Sequence, residues 1–174
     1  TALIKKMGGI AKFMSYSGIN FTDSGGFQMY SKALYVESKE NGVVFKNPYS
    51  GEKMFITPEQ DMKIQLDLGS DVAMCLDSMP LYGESKESIS EAIRKTTMWA
   101  KLCKFYHDKA QKNIPKNKRQ LLFGITQGGT FDDLRTHSAK EISQIDFDGF
   151  ALGGLALGEP QEDEYRMIEA AKKI

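Results

Sequence analysis

The stretch "LLFGITQGGTFDDLRTHSAKEIS", residues 121–143, decides the predicted fold. Its first six residues form an apolar run that is typical of a buried strand. Gln127 and two glycines then predict a tight turn, and the remainder has the spacing of a helix capped by Thr130. A strand followed by a helix is the repeating unit of a parallel sheet with helices packed outside it.

The same unit, in the order helix then strand, occurs earlier in the chain. "TPEQDMKIQLDLG" (57–69) predicts a helix in which Thr57 and Gln60 form a capping box and Gly69 provides the end. "DVAMCLD" (71–77) then predicts a short buried strand that ends in an acid. The chain therefore alternates strands with helices, which favours a parallel sheet.

Further elements extend this pattern in both directions. Two β-hairpins are predicted at Asn41-Gly42 and Ser50-Gly51. Helical spacing predicts a long helix from about Ser85 to about Lys112. "GFAL" (149–152) predicts a third short strand, and Pro160 is expected to start the final helix.

The composition restricts the partners and the compartment. Lysine plus arginine equals aspartate plus glutamate, 23 each, so an RNA partner would need a local basic patch. The lysine-rich segment 101–119 is interpreted as a solvated helix end, on the side of the sheet away from any pocket. Cys75 and Cys103 are too few for a disulfide framework or a zinc cluster, which indicates a reducing, cytoplasmic location. No membrane span is predicted.

Polar groups follow each predicted strand. Asp23 follows "INFT", Asp77 ends the run at 71–77, Gln127 ends the run at 121–126, and Gly153-Gly154 follow "GFAL". In a (β/α) barrel the carboxyl ends of the strands converge on one pocket. The pattern therefore predicts an α/β fold of the (β/α) TIM-type barrel kind, with its site at that end; the family resemblance given below implies that it is a partial (β/α)8 barrel.

These groups are complementary to a guanine-like base. A carboxylate such as Asp77 can accept from N1–H and the 2-amino group together, and an amide N–H from Gln127 or the glycine backbone can meet O6. Phe27 offers a face for stacking. A sugar or a small acid would leave the aromatic ring, or one aspartate, without a partner.

Four motifs in order carry a resemblance to a known family. They are "TDSGGFQ", "GSDVAMCLD", "GITQGG" and "ALGGLALGE". The chain resembles the tRNA-guanine transglycosylases (queuine tRNA-ribosyltransferases) from about Lys6 to about Arg166. The resemblance implies a zinc-containing (β/α)8 barrel, a dimer when full length, that exchanges a guanine in the tRNA anticodon loop for a 7-deazaguanine base through a covalent enzyme–RNA intermediate.

The resemblance also implies roles for single residues. Asp23 matches the general acid/base, Asp77 matches the acid that reads the N1 and 2-amino edge, and Gln127 and the Gly154 N–H match the groups that hold O6. The substituent at position 7 would meet the segment that begins at the Leu155 carbonyl. The residues expected to form the base site are Asp23, Ser24, Gly25, Gly26, Phe27, Asp77, Gln127, Gly153, Gly154, Leu155, Leu157 and Glu159.

The chain also departs from the family pattern. The nucleophilic aspartate and the zinc ligands, three cysteines and a histidine, are expected beyond the fourth motif, so residues 1–174 are interpreted as an incomplete barrel domain that is inactive alone. His107 and His137 do not match the metal site and are predicted to be surface histidines. Ser78-Met79 follow Asp77, where the family often has a second acid.

Alternative functions remain open from the sequence. A non-catalytic partner subunit of the same family would bind tRNA as a scaffold, but it would be expected to lose the pocket acids that this chain retains. An archaeosine-type enzyme would use preQ0. An unrelated barrel enzyme for a phosphorylated substrate would need anion sites late in the barrel. Leu157 is expected to favour small preQ1-like bases over the bulkier queuine.

Overall fold

The computed structural model describes residues 1–25 and 33–174 as a mixed α/β fold. The strands are β1 (Phe21–Thr22), β2 (Tyr35–Lys39), β3 (Gly42–Lys46), β4 (Lys53–Ile56), β5 (Val72–Met74), β6 (Leu121–Thr126) and β7 (Gly149–Leu152). The helices are α1 (Ala2–Lys6), α2 (Ile10–Met14), α3 (Pro58–Leu68), α4 (Lys86–Gln111), α5 (Asp132–Ser143) and α6 (Gln161–Lys172), with a 3₁₀ turn at Lys116–Lys118.

The described residues form a four-stranded sheet in the order β1-β5-β6-β7, whose neighbouring strands are all parallel. Each connection between consecutive strands of this sheet includes at least one helix, as a parallel crossover requires. This arrangement confirms the predicted α/β class. Because neighbouring strands point the same way, their carboxyl ends lie side by side at one end of the sheet.

A separate antiparallel sheet, β2-β3-β4, forms between β1 and α3 in the chain. Both predicted hairpins are confirmed. The two-residue loop of the first is Glu40-Asn41, because Gly42 already pairs with Lys39 at the start of β3, and Ser50-Gly51 lie in the loop between β3 and β4. Gly42 is needed for close approach as well as for the turn, since a Cβ at this position would lie 2.1 Å from the carbonyl oxygen of Ile56. Val43 carries this small sheet into the main core.

The predicted ends of α3 and α4 are also confirmed. The Thr57 hydroxyl accepts from the Gln60 N–H and the Gln60 side chain accepts from the Thr57 N–H, which completes the capping box. Gly69 ends α3 in the left-handed region at φ 66°. Ser85 caps α4 through a 3.2 Å bond from the Ser88 N–H to its hydroxyl.

Two local predictions are wrong. Thr130 does not cap α5; it lies in a turn that is closed by a bond from the Phe131 N–H to the Gly128 carbonyl, so the helix cap is Phe131. The strand predicted over 71–77 pairs as β5 only over Val72–Met74. The Cys75 N–H still donates to the Phe123 carbonyl of β6, but Leu76 and Asp77 leave the ladder while they stay buried, which carries Asp77 past the carboxyl end of the strand.

The core lies between the parallel sheet and the helices on one of its faces. Trp99 of α4 is fully buried at its centre, and its indole N–H donates to the Glu40 carbonyl at 2.7 Å. Ala73 and Leu122 meet the same core from β5 and β6. Within residues 1–25 and 33–174, no helix is both long and apolar enough to cross a bilayer.

Candidate functional site

The carboxyl ends of the parallel strands enclose a cavity of about 350 Å³. Its walls include Asp23 after β1, Asp77 after β5, and Gly154 and Leu157 after β7. The volume lies within the range of about 300–1,000 Å³ that is typical of small-ligand pockets. A wider groove of about 890 Å³ lies between α4 and α5, but the side chains of these outer helices line it and no strand end reaches it.

Asp77 is the most deeply placed polar group of this cavity. Its side chain is buried, and its Oδ2 accepts a 2.6 Å bond from Nε2 of Gln127. Burial raises the pKa of Asp77 to about 7, and the neighbouring Asp23 charge adds to this rise, while hydrogen bonds from Gln127 and Ser24 oppose it. The carboxyl group therefore changes charge near neutral pH.

Gln127 lies behind Asp77 rather than at the cavity wall. It is fully buried, and its Oε1 has no hydrogen-bond partner among the described residues. A Cβ at Gly153 would lie 2.6 Å from Nε2 of Gln127, and one at Gly154 would lie 2.5 Å from its Oε1. The glycine pair after β7 therefore allows this amide to pack directly against the backbone.

The segment after β1 brings a second acid to the same cavity. Asp23 is exposed at the wall, and its Oδ1 accepts a 2.8 Å bond from the Ser24 N–H. Ser24 itself is buried. Gly25 has a φ of +77°, which a residue with a side chain rarely adopts. Gly26 and Phe27 lie outside the described residues, so the stacking role stays a prediction.

The loop after β7 is shaped by Glu159. Its two carboxylate oxygens accept from the N–H groups of Ala156 at 2.5 Å and Leu157 at 2.8 Å. Ala156 is held in the left-handed region at φ 59°. Burial alone would raise the pKa of Glu159, but these backbone bonds hold it below the usual range. The loop places Leu155 and Leu157 at the cavity wall.

Comparison with known proteins gives the family. A model of the family described as queuine tRNA-ribosyltransferase matches residues 1–174. The chain belongs to the queuine tRNA-ribosyltransferase family.

Curated relatives in this family are similar along nearly the whole chain. Proteins named queuine tRNA-ribosyltransferase from Clostridium acetobutylicum and Lysinibacillus sphaericus are 44% and 42% identical to it, over 97% and 96% of this chain. One from Staphylococcus aureus is 42% identical over 99% of the chain. The matched part is 45%, 42% and 44% of these relatives in turn, so the chain spans less than half of their length.

The structure of this family member also shows a third acid near Asp23 and Asp77 that the sequence did not reveal. Asp61, on α3, is 2% exposed, and both of its oxygens accept from Nε2 of Gln65. Burial raises the pKa of Asp61 well above its usual range, and Asp23 and Asp77 raise it further. At positions i and i+4 of a helix these polar residues are typical of a solvated face, which is why the pattern was uninformative.

Gln65 links the two acid-bearing strands. Its Oε1 accepts from the Thr22 hydroxyl at 2.9 Å and from the Met74 N–H at 3.1 Å, and its Nε2 donates to the Met74 carbonyl at 2.7 Å. Thr22 precedes Asp23 directly, so this amide ties the end of β1 to the end of β5. Its role depends on contacts between distant segments, which no local motif indicates.

The predicted place of one histidine is wrong. His107 is 2% exposed, because Gln111 and Gln120 surround its ring inside the core. His137 is exposed on α5, as predicted. Among the described residues, no group of three or more histidine, cysteine or acidic side chains could hold a metal ion. The described residues therefore do not fit a zinc site.

Proposed function

We propose that the chain forms the base-recognition part of a tRNA-guanine transglycosylase. The observation that carries this proposal is that Asp77 and Gly154 line the same cavity at the carboxyl ends of the strands. A guanine in this cavity would present N1–H and its 2-amino group to Asp77 and O6 to the Gly154 N–H. Gln127 would hold the Asp77 carboxyl in place through its 2.6 Å bond.

Asp23 is proposed as the group that moves protons. In the exchange, an aspartate of the remaining part of the enzyme attacks ribose C1′, the glycosidic bond breaks, and guanine leaves with a proton. The incoming base then loses a proton and displaces the enzyme carboxylate from C1′. Asp23 lies at the cavity wall, where it could give the first proton and accept the second.

The four described parallel strands are proposed to be part of a (β/α)8 barrel. Register places Phe21, Val72 and Leu121 side by side on one face of the sheet. Phe21 and Leu121 are exposed there, whereas Val72 between them is buried. Helices cover the opposite face. Parallel sheets normally have both faces covered, so the exposed apolar face fits a barrel that further strands close. Residues 1–174 would then be an incomplete domain.

Replacement of Asp77 tests the proposal. In a full-length enzyme that contains this chain, Asp77→Ala should lower kcat/KM for guanine incorporation into tRNA by at least roughly tenfold, since two ring donors lose their partner at about 1–3 kcal/mol each. Asp133→Ala, which removes an exposed acid of α5, serves as the control. Activity of Asp77→Ala within twofold of wild type would contradict the role.

A preQ1-like base is proposed as the incoming substrate. Leu157 lies at the cavity wall, and its four side-chain carbons occupy volume that a bulky substituent would need. Overpacking costs about 1–3 kcal/mol, so preQ1 should be preferred over queuine by at least about tenfold. Competition kinetics with wild type and Leu157→Gly decide this. Equal use of both bases by wild type, or no gain with queuine in the glycine variant, would contradict it.

A further inference from the structure

Arg135 joins three backbone carbonyls from two turns around the cavity. It lies on α5, is fully buried, and directs its guanidinium between the ends of β6 and β7. Nη1 donates to the carbonyls of Thr126 at 3.2 Å and Gly153 at 2.9 Å, and Nη2 donates to the Gly129 carbonyl at 3.0 Å. One side chain therefore ties the turn after β6 to the turn after β7.

The local sequence is built around this arginine. Gly128 has a φ of +145°, and a Cβ there would lie 2.5 Å from Cα of Arg135. Only glycine lets the turn after β6 come this close to the first residues of α5. The close approach is what brings the guanidinium within reach of carbonyls from both turns.

The positive charge of Arg135 does not stabilise the fold. Burial lowers the pKa of Arg135 to about 10, with the nearby Glu159 charge opposing the shift, so the group is a cation at neutral pH. No described carboxylate lies within ion-pair distance of it, and its Nε has no partner among residues 1–25 and 33–174. A buried cation held only by carbonyls is costly to the fold.

The Arg135 guanidinium lies next to the peptide group between Gly153 and Gly154, and this position indicates a role for its charge. In a trans peptide the carbonyl and the following N–H point in opposite directions. The 2.9 Å bond from Arg135 to the Gly153 carbonyl therefore directs the Gly154 N–H away from the guanidinium, and Gly154 lines the cavity. A charged donor on the carbonyl also polarises the N–H and makes it a stronger donor.

We propose that Arg135 is a positioning residue that aims and strengthens the Gly154 N–H for an oxygen at position 6 of the bound base. This inference rests on the proposed function for the identity of the base. It goes beyond that function in assigning recognition of this oxygen to a buried cation that never touches the ligand. It also explains why the turns after β6 and β7 are fixed to each other.

Binding of two bases tests the inference. Guanine and 2-aminopurine, which lacks the oxygen at position 6 and with it the hydrogen on N1, are titrated by calorimetry into wild type, Arg135→Met, Arg135→Lys and the control Arg166→Met. Asp77 is unchanged in all four proteins, so the missing N1–H weakens 2-aminopurine equally in each, and the change in the ratio of the two affinities reports on the oxygen. Arg166 is an exposed arginine that also donates to a carbonyl near this turn, that of Thr130. Arg135→Met should weaken guanine by about tenfold and 2-aminopurine by less than about twofold, and lysine should restore part of the guanine affinity.

A purely structural arginine would give a different pattern. Equal loss for both bases in Arg135→Met, or no loss for either, would overturn the inference, and so would a lysine variant no better than methionine. If Arg135→Met does not fold, the ratio of the two affinities in Arg135→Lys decides, because lysine keeps the charge but reaches fewer carbonyls.

A second measurement separates this inference from the proposed function. The Gly154 amide resonance of the ligand-free chain should shift upfield in Arg135→Lys and stay unchanged in Arg166→Met, because polarisation by the cation is reduced. If wild type binds neither base, the proposed function fails and this resonance alone decides the inference. An unchanged Gly154 amide in Arg135→Lys would overturn it.

Discussion

The two ends of the parallel sheet both bury polar side chains, but they do so differently. At the amino end, Gln120 donates to the Gln65 and Ser70 carbonyls and the Ser70 hydroxyl, and exchanges bonds with Gln111 and His107. These groups are neutral amides, hydroxyls and an imidazole that satisfy one another. At the carboxyl end the buried groups include, besides the Gln127 amide, two acids, Asp61 and Asp77, and a cation, Arg135. The buried acid at the other end of α3, Asp67, differs from them because Lys5 and Lys63 pair with it.

The difference indicates that the polar groups of the amino end stabilise the fold, whereas those of the carboxyl end do not. A neutral network that is fully paired specifies the packing at little cost, whereas buried charges are expensive unless they are well paired. Two of the three buried side-chain atoms without a partner among the described residues, Gln127 Oε1 and Arg135 Nε, lie at the carboxyl end. The third, Asn20 Oδ1, precedes β1. The carboxyl end therefore retains polar groups that cost stability, which is expected of a binding site.

The largest expected effect concerns the pH dependence of base binding at the carboxyl end. Asp77 must be ionised to accept from guanine, and its pKa is raised to about 7 by burial. Guanine affinity of the chain should therefore fall as pH decreases through 7, by roughly a hundredfold between pH 8 and pH 5. Calorimetric titration across this range measures the effect.

A matched variant isolates the carboxyl group in that experiment. Asp77→Asn cannot titrate, so its guanine affinity should be low and nearly independent of pH. If the variant keeps the pH slope of wild type, another group controls binding and the contrast between the two ends is not electrostatic.

The next effect should be structural and confined to the amino end. Gln120→Leu removes the Gln120 donor from the Ser70 hydroxyl and carbonyl, while the Gln65 carbonyl keeps its bond from the Gly69 N–H. The loss should reduce the free energy of unfolding by about 2 kcal/mol. Guanine affinity should stay within about twofold of wild type. Denaturant unfolding and calorimetry measure the two quantities. Gln144→Leu, at an exposed position after α5, is the control.

The sequence predicted what is set locally. Thr57, Gln60 and Gly69 act within one helix, so residue type and spacing were sufficient to place its ends. Thr130 failed as a cap because the turn of Gly128 and Phe131 moves the helix start by one residue.

Groups that act across the fold could not be predicted in this way. Arg135 and Asp61 look like ordinary charged positions of amphipathic helices, and their burial depends on turns and strands far along the chain. His107 was expected at the surface for the same reason. Its partner Gln111 at i+4 was visible, but Gln120, which completes the pocket, approaches only through the sheet. The roles of the candidate site residues in base binding stay predictions.

A smaller effect, opposite in sign, is expected for Asp61. Asp61→Asn keeps an acceptor for Gln65 but removes a carboxyl group that burial disfavours when ionised. The variant should be more stable than wild type by roughly 1–2 kcal/mol. Because the pKa of Asp61 is raised in the fold, wild type loses stability as pH rises from the unfolded value through the folded one, so the gain should grow with pH.

Thermal unfolding at several pH values measures this prediction. Asp67→Asn is the control on the same helix, where the carboxylate is held by Lys5 and Lys63 and its pKa is lowered. That variant should be no more stable than wild type at any pH. A loss of stability in Asp61→Asn at high pH would contradict the view that the acidic end costs stability.

The smallest effect should come from His107, the one titratable side chain of the amino-end network. Burial lowers its pKa, with the Gln120 bond opposing, so the neutral ring is the form the fold accepts. Its contribution to stability is therefore present above the unfolded pKa and is lost as pH falls through the folded one. Its nearest charges, Asp108, Lys104 and Asp148, have mixed signs and partly cancel.

Wild type should unfold more easily below about pH 6, and His107→Gln should lose that part of the acid sensitivity while it remains slightly less stable at pH 8. Guanine affinity at pH 8 should be unchanged in the variant, since the ring lies at the opposite end of the sheet from Asp77. An acid-sensitivity curve that is identical in wild type and His107→Gln would contradict this role of the ring.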